Sequence, residues 1–427
     1  MQDDSSVDDS SYSPDGGEEN VGAEEKKENI ESDDDSLNDL DDEDYDDRSY
    51  SMDPSREGTI STVLTEDRSV FTGEVASAMD LLREACNRPE EREIARSAFE
   101  QIRIICKKRF YSKTRLASSG APEHLAQLFC RWRRDSDVLV VACGGMCQFV
   151  NGETDNKMAL GVLNVCEELT MAIRDFSDDM KVIRSCCELM VDLCNNVLKG
   201  VLKKYVKGKS PTPLGYSGSP KKSPPVTVDD EDFLFSDNRS RFKEAGICEL
   251  LTSILKSIVD SEDLSDEAIH TTIVLLQTMT SLSCSLLICK QFGQDGLLPI
   301  LLKLIKDRFP LSRSSCALYL IVHLCADQSA GNKLLLAELN APKVFIDFFH
   351  DICHIEKDYV TDPHFLVLVE QLSWAWLNCL MGCDLAVQVS VNVSYCSDVV
   401  DNTLLLESIP TKQKQKLRLV EKRLFYM

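Results

Sequence analysis

The sequence predicts an all-α solenoid, a chain of short helical units stacked in a row. Three observations predict it: a recurring turn register, a regular spacing between its copies, and apolar residues at helical period after each turn. The register is clearest from Asn238 to Leu251. A basic residue is followed by an apolar one, then Gly or Asn four residues later, then apolar residues one and five beyond that. Phe242, Gly246, Ile247 and Leu251 fill these slots here. Leu116, Gly120, Ala121 and Leu125 fill them earlier, followed by Leu160, Asn164, Val165 and Leu169. Phe292, Gly296, Leu297 and Leu301 come next, then Leu336, Asn340, Ala341 and Phe345.

Each slot has a physical reason. Gly and Asn tolerate the left-handed backbone needed where one helix stops and another starts. Apolar residues one, five, eight and nine positions beyond the turn lie on one helical face. The last two slots hold Leu128 and Phe129, Ala172 and Ile173, Ile254 and Leu255, Leu304 and Ile305, and Phe348 and Phe349. The turn residues are separated by 44, 82, 50 and 44 positions. The long step contains a Pro/Gly/Ser/Lys-rich run, and removing its roughly 30 residues leaves about 52, which is repeat-like; the period near 44 falls in the ~40–47 residue range of helical solenoid repeats.

This register resembles that of the armadillo repeat family, over roughly residues 74–386, with the HEAT-like variant of the architecture beside it. The resemblance implies a right-handed superhelix in which a short helix leads to two longer ones. It also implies that the third helices line a concave groove binding extended peptides.

Five regions follow. Residues 1–70 are an acidic tail too poor in large apolar residues to offset chain entropy, hence disordered. Residues 71–206 hold the N-terminal repeats, with residues 74–105 as a polar-faced cap. Gly144 and Gly145 fall in mid-helix there, either for close packing or as a break. Met180 to Val206 reads as one long helical stretch, basic and amphipathic in its last turns. Residues 207–236 are a disordered Lys/Ser/Pro-rich insertion, because proline removes backbone donors and stops helices. Residues 237–386 hold the C-terminal repeats, and 387–427 form a C-terminal cap. Within the cap, Val387, Val389, Val391, Val393 and Tyr395 alternate with polar residues, a strand-like period of two.

Net charge is −24, of which residues 1–50 carry −18. That tail reads either as a solvating segment or as a docking segment for a basic partner or for the chain's own lysines. The overall charge argues against nucleic acid as partner. Eighteen cysteines occur without an opening apolar signal segment and without a metal-type Cys-x-x-Cys. They read as free thiols packed in a reducing compartment, cytoplasm or nucleus or both. No apolar run is long enough to span a membrane.

Catalytic signals are weak. His350 and His354 have zinc-compatible spacing, but Asp351 stands where the metalloprotease motif needs Glu, so no metal site is assigned. No phosphate loop, dinucleotide fingerprint or nucleophile elbow occurs, and neither enzyme activity nor a cofactor is expected.

Binding signals are stronger. Trp374 and Asn378 share a helical face. In armadillo-type nuclear-import adaptors, ladders of this pair clamp basic peptides; here the pair reads either as buried tryptophan packing or as one groove contact. The pair occurs once, which argues against import-adaptor function. Seven lysines and no acids lie from Lys199 to Val228. Lys203, Lys204, Lys221 and Lys222 form a loose nuclear-import pattern, and Ser210, Thr212, Ser219 and Ser223 each precede proline. Ser219 with Lys221 and Lys222 suits a cyclin-dependent kinase, and Ser36 with Asp39 suits a casein-kinase-like one. Phosphates on Ser219 and Ser223 would add roughly −3 to −4 and largely offset the lysines.

The expected function is a non-enzymatic intracellular scaffold or adaptor binding a peptide or a folded domain. The alternatives are a nucleotide-exchange type regulator of a small GTPase or chaperone, and a nuclear or chromatin-associated factor.

Overall fold

Local backbone chemistry fixes the units. Gly120, Asn164, Gly246, Gly296 and Asn340 all adopt positive φ, at 87°, 62°, 82°, 79° and 56°. Each closes a short helix and opens the next, as the register requires. The apolar slots around them, from Leu116 to Phe345, are fully buried.

The computed structural model describes residues 73–108, 111–195, 238–307, 310–326, 330–354, 363–394, 396–405 and 411–425. All belong to one compact unit, 61–427. The acidic tail and the insertion at 207–236 lie outside the described residues. So do Lys203, Lys204, Lys221, Lys222, Ser36, Ser210, Thr212, Ser219 and Ser223. Among the described residues every regular element is an α-helix.

A leading pair, α1 (residues 73–87) and α2 (Arg92–Lys108), precedes the first unit. That unit is α3 (Tyr111–Ser118), α4 (Ala121–Trp132) and α5 (Ser136–Val150). The second is α6 (Thr154–Val162), α7 (Val165–Asp175) and α8 (Met180–Cys194), and the third is α9 (Asn238–Glu244), α10 (Ile247–Asp260) and α11 (Asp266–Leu282). The fourth is α12 (Leu286–Gln294), α13 (Leu297–Lys306) and α14 (Leu311–Leu324). The fifth is α15 (Ala330–Glu338), α16 (Ala341–His354) and α17 (Pro363–Leu380). A sixth follows: α18 (Asp384–Val391), α19 (Cys396–Leu405) and α20 (Thr411–Phe425).

Third helices pack on third helices in one row, α2, α5, α8, α11, α14, α17 and α20. In the last three units first helices also pack on first, and second on second. A single core runs through all of them, from Val75 to Leu424. Gly145 serves close packing rather than a break: α5 is continuous, and a Cβ there would sit 2.6 Å from the Phe99 carbonyl oxygen of α2.

The strand-like reading of residues 387–395 is corrected. The segment opens on helix α18, and the expected boundary at 386/387 falls inside it. Its inward face is Ala386 and Ser390, with the N-cap residue Cys383 before them and Val387 partly buried beside them, while Val391 is exposed. The helical period is carried by small residues, so the more hydrophobic valines suggested the wrong one. The long helix expected from Met180 to Val206 is described only as α8, which ends at Cys194.

The basic slot of the register has a structural job. In the first unit Lys113 Nζ donates to Asn151 O at 2.6 Å, at the C-terminal end of its own third helix. Lys157 donates likewise to Asn195 O, and Lys333 to Met381 O at 2.9 Å. Arg239 spans two units, reaching Ser281 O at 3.1 Å and Cys194 O at 2.6 Å. Helix C-termini leave carbonyls without partners inside the helix, and these cations satisfy them. The fourth unit has Cys289 in this slot, whose thiol donates to Ser283 O at 3.0 Å.

The residue just before the cation staples adjacent units. Asn238 Nδ2 donates to Lys157 O at 3.0 Å and Leu193 O at 3.2 Å. Asn332 Nδ2 does the same to Cys289 O at 2.9 Å and Leu324 O at 3.1 Å. Each amide fits because the preceding first helix carries glycine. A Cβ on Gly161 would lie 1.8 Å from Asn238 Oδ1, and one on Gly293 1.9 Å from Asn332 Oδ1. The second unit enters the third through these contacts, on either side of residues 196–237.

Candidate partner-binding face

Burying one flank of each third helix against its neighbours leaves a narrow strip outside the core. On α5 it runs through Val140, Val141, Gly144 and Gln148, all partly exposed. On α8 it runs through Ser185, Glu188, Val191 and Asp192, and on α11 through His270, Ile273 and Gln277. On α14 it holds Cys316, Tyr319, Val322 and His323, and on α17 Trp374 and Asn378. Members recur one, three or four residues apart, so each strip is one helical face.

Polar rungs tie neighbouring third helices and fix the strip. Arg92 on α2 pairs with Asp135 at 2.8 Å and Asp137 at 2.6 Å. Arg184 on α8 pairs with Glu267 at 3.1 Å and donates to Thr271 Oγ1 at 3.1 Å on α11. Ser315 on α14 donates to the Gln371 side chain on α17. Lys416 on α20 meets Glu370 on α17 at 2.5 Å with both side chains buried.

The strip changes character along the row. Its α5–α8–α11 section sets the acids Glu188 and Asp192 and the amides Gln148 and Gln277 among partly exposed valines and Ile273. Glu188 is an exposed residue whose carboxyl is nonetheless raised above the ordinary range by desolvation against its neighbours; Asp192 adds to this, while His270 and Arg184 oppose it. The α14–α17 section is aromatic. Tyr319 and His323 meet edge-on with ring centroids 4.8 Å apart. Burial holds the His323 imidazole down to about 4, so its ring is neutral at pH 7, and lifts the Tyr319 phenol to about 12.

Trp374 and Asn378 do stand together on this strip, but each already has an intramolecular partner. Lys416 Nζ lies 4.4 Å from the Trp374 ring centroid, in cation–π contact. Asn378 Nδ2 donates to Val322 O at 3.2 Å, tying α17 to the end of α14. The fully buried tryptophan is Trp376, whose Nε1 donates to Ser390 Oγ at 3.2 Å. Tyr319 and His323 escaped the sequence reading because it sought tryptophan; their four-residue spacing, equal to that of Trp374 and Asn378, is the signal that marks them. Glu188, Asp192 and Gln277 carry no such signal, since exposed polar residues on a helix are ordinary.

The cysteines are mostly interior. Cys143 and Cys186 face each other between α5 and α8 with sulfurs 3.9 Å apart. Burial raises the thiols of Cys106, Cys248, Cys316, Cys379 and Cys396 to about 12, which keeps them protonated. Among the described residues no three His, Cys, Asp or Glu side chains converge on a metal-sized site, and no helix is long and apolar enough to cross a membrane.

No family model matches the sequence, and no curated protein is matched either. Solved structures are similar in fold. One is an engineered protein, 13% identical with a TM-score of 0.50, covering 72% of this chain and 97% of that one. A second is a designed armadillo repeat protein in complex with the peptide (KR)4, 13% identical, TM-score 0.48, covering 71% and 98%. A third is a computationally designed armadillo repeat protein for modular peptide recognition, 15% identical, TM-score 0.45, covering 68% and 98%. With three-helix units, left-handed turns between the first and second helices of five of them, and third helices stacked in one row, the chain has an armadillo-like repeat fold.

Proposed function

We propose that this chain is a non-enzymatic scaffold that holds a protein partner along its third-helix face. One observation supports the reading above others. The row from α2 to α20 is continuous, and it carries an unbroken succession of partly exposed side chains from Gln148 to Trp374. Such a row offers an extended segment one contact per unit, with amides and carboxylates for its backbone and basic groups, then aromatics for an apolar side chain. Helices, rather than loops, hold these side chains, so the surface is largely formed before binding and less ordering entropy is lost. Phosphorylation of the Ser/Thr-Pro sites in the insertion would offset that segment's positive charge and so regulate binding, in cytoplasm or nucleus.

The test is affinity capture by the full chain with mass-spectrometric readout. The comparison is a variant carrying Gln148→Ala, Gln277→Ala and Tyr319→Ala. Loss of the same partners, with an unchanged circular dichroism melt, is the expected result. Retention of every partner by the variant would overturn the reading.

A further inference from the structure

We infer that the strip between α5, α8 and α11 is the docking surface for the chain's own lysine-rich stretch, residues 197–222. The inference rests on the proposed use of the third-helix face and adds an occupant to it.

The first support is where the stretch leaves and rejoins the solenoid. It departs after Asn195, at the C-terminal end of α8, and returns at Asn238. These two points are held together, since Asn238 donates to Leu193 O and Arg239 to Cys194 O. The strip on α8 begins one turn before the exit, at Asp192, and Glu188 lies a turn further back. From Asn195 to Glu188 is about 10 Å at 1.5 Å per residue. Lys199, four residues beyond Asn195, has a reach of about 13 Å along an extended chain. Lys203 and Lys204 reach further. Tethering at both ends places the stretch beside the strip at an effective concentration on the order of millimolar.

The second support is complementarity of two kinds. Seven lysines and no acids lie from Lys199 to Val228. The strip carries Glu188 and Asp192, with the amides of Gln148 and Gln277 and, at its edge, Glu267. Between these polar groups lie Val140, Val141, Val191 and Ile273, all partly exposed. The stretch alternates its lysines with Val197, Leu198, Val201, Leu202 and Tyr205. Lysine stems and these apolar residues therefore meet an apolar shelf while the ammonium groups meet carboxylates.

The experiment uses the full chain with Lys199, Lys203, Lys204, Lys207, Lys209, Lys221 and Lys222 changed to Gln. A labelled peptide of residues 197–224 is titrated into it by fluorescence anisotropy. The peptide is expected to bind this chain at least about tenfold more tightly than the wild-type chain, whose surface is already occupied. Adding Glu188→Lys and Asp192→Lys is expected to abolish binding, and Glu188→Gln with Asp192→Asn to weaken it about tenfold. Asp398→Lys on α19 is expected to change nothing. Phosphate on Ser219 and Ser223 of the peptide is expected to weaken binding about tenfold.

A peptide that does not bind, or that ignores both Glu188/Asp192 variants, overturns the inference. Equal binding of the phosphorylated peptide overturns its charge basis. The proposed function is read separately by partner capture. If Gln148, Gln277 and Tyr319 still govern capture while the peptide fails to bind, only the self-docking falls. If neither depends on the strip, both fall.

Discussion

Two junctions between units fill one slot with different chemistry. Where the fourth unit meets the fifth, Gly293 makes room for Asn332, and Lys333 satisfies the far helix end. Where the third meets the fourth, the matching residues are Lys243, Ile288 and Cys289. Ile288 is fully buried, and Cys289 offers a thiol where the others offer a cation. The first junction is a polar staple that demands a missing Cβ; the second is an apolar plug that demands none. The difference teaches that this solenoid needs the slot filled and the helix end satisfied, and that side-chain pairs rather than single residues meet the need. Asn156 shows the intermediate case. It follows Ala117 rather than glycine, and bonds Phe149 O at 3.0 Å without the second bond that Asn238 and Asn332 make.

Breaking the staple should give the largest effect. Gly293→Ala drives a methyl into Asn332 Oδ1 and displaces an amide that satisfies two buried carbonyls. A loss of about 2–4 kcal/mol is expected, the sum of overpacking and of orphaned acceptors. Lys243→Ala at the other junction should cost less than about 0.5 kcal/mol. Chemical denaturation of Gly293→Ala, Asn332→Ala and the double variant checks this. Strict additivity in that cycle would show that the two residues do not act as a pair.

Acid sharpens the contrast next. His323, whose carbonyl faces the Cys289 thiol at 3.9 Å, has its ring held down to about 4. At pH 7 it is neutral both folded and unfolded and contributes nothing. As pH falls below about 6.5 the unfolded chain takes up the proton first, so unfolding is favoured. The loss grows toward pH 4, where the folded chain protonates as well, and reaches up to about 3 kcal/mol. His323→Phe should remove that part of the acid limb when stability is measured from pH 7 to pH 4. An unchanged limb would place the acid sensitivity elsewhere.

The smallest effects compare the two ways of satisfying a helix end. Lys333→Met leaves the Met381 carbonyl without its donor and should cost about 1–3 kcal/mol. Cys289→Ala should cost about 1 kcal/mol, since a thiol is a weak donor and the lost volume is small. Thermal melts of the two variants rank them, and a larger shift for Cys289→Ala would reverse the account.

The same division runs through the binding face. Its α5–α8–α11 section sits beside the exit of a lysine-rich stretch and carries the carboxylates. Its α14–α17 section is aromatic and already engaged, with Trp374 under Lys416 and Asn378 on Val322 O. Trp374 and Asn378 were legible because their types and spacing are rare. Their occupation was not, because Lys416 and Val322 lie 42 and 56 positions away along the chain.

By itself the sequence determined the all-α class, the five turns and their apolar slots. Each of these depends on interactions within a dozen residues: a positive φ that Gly or Asn accepts, and one apolar face per helix. Only the tertiary structure decided what the cation, asparagine and glycine of the register do, because their partners sit in the neighbouring unit or at the far end of their own. It likewise decided the sixth unit, whose inward face of Ala386 and Ser390 is too small and too mixed to show a period until another helix packs on it.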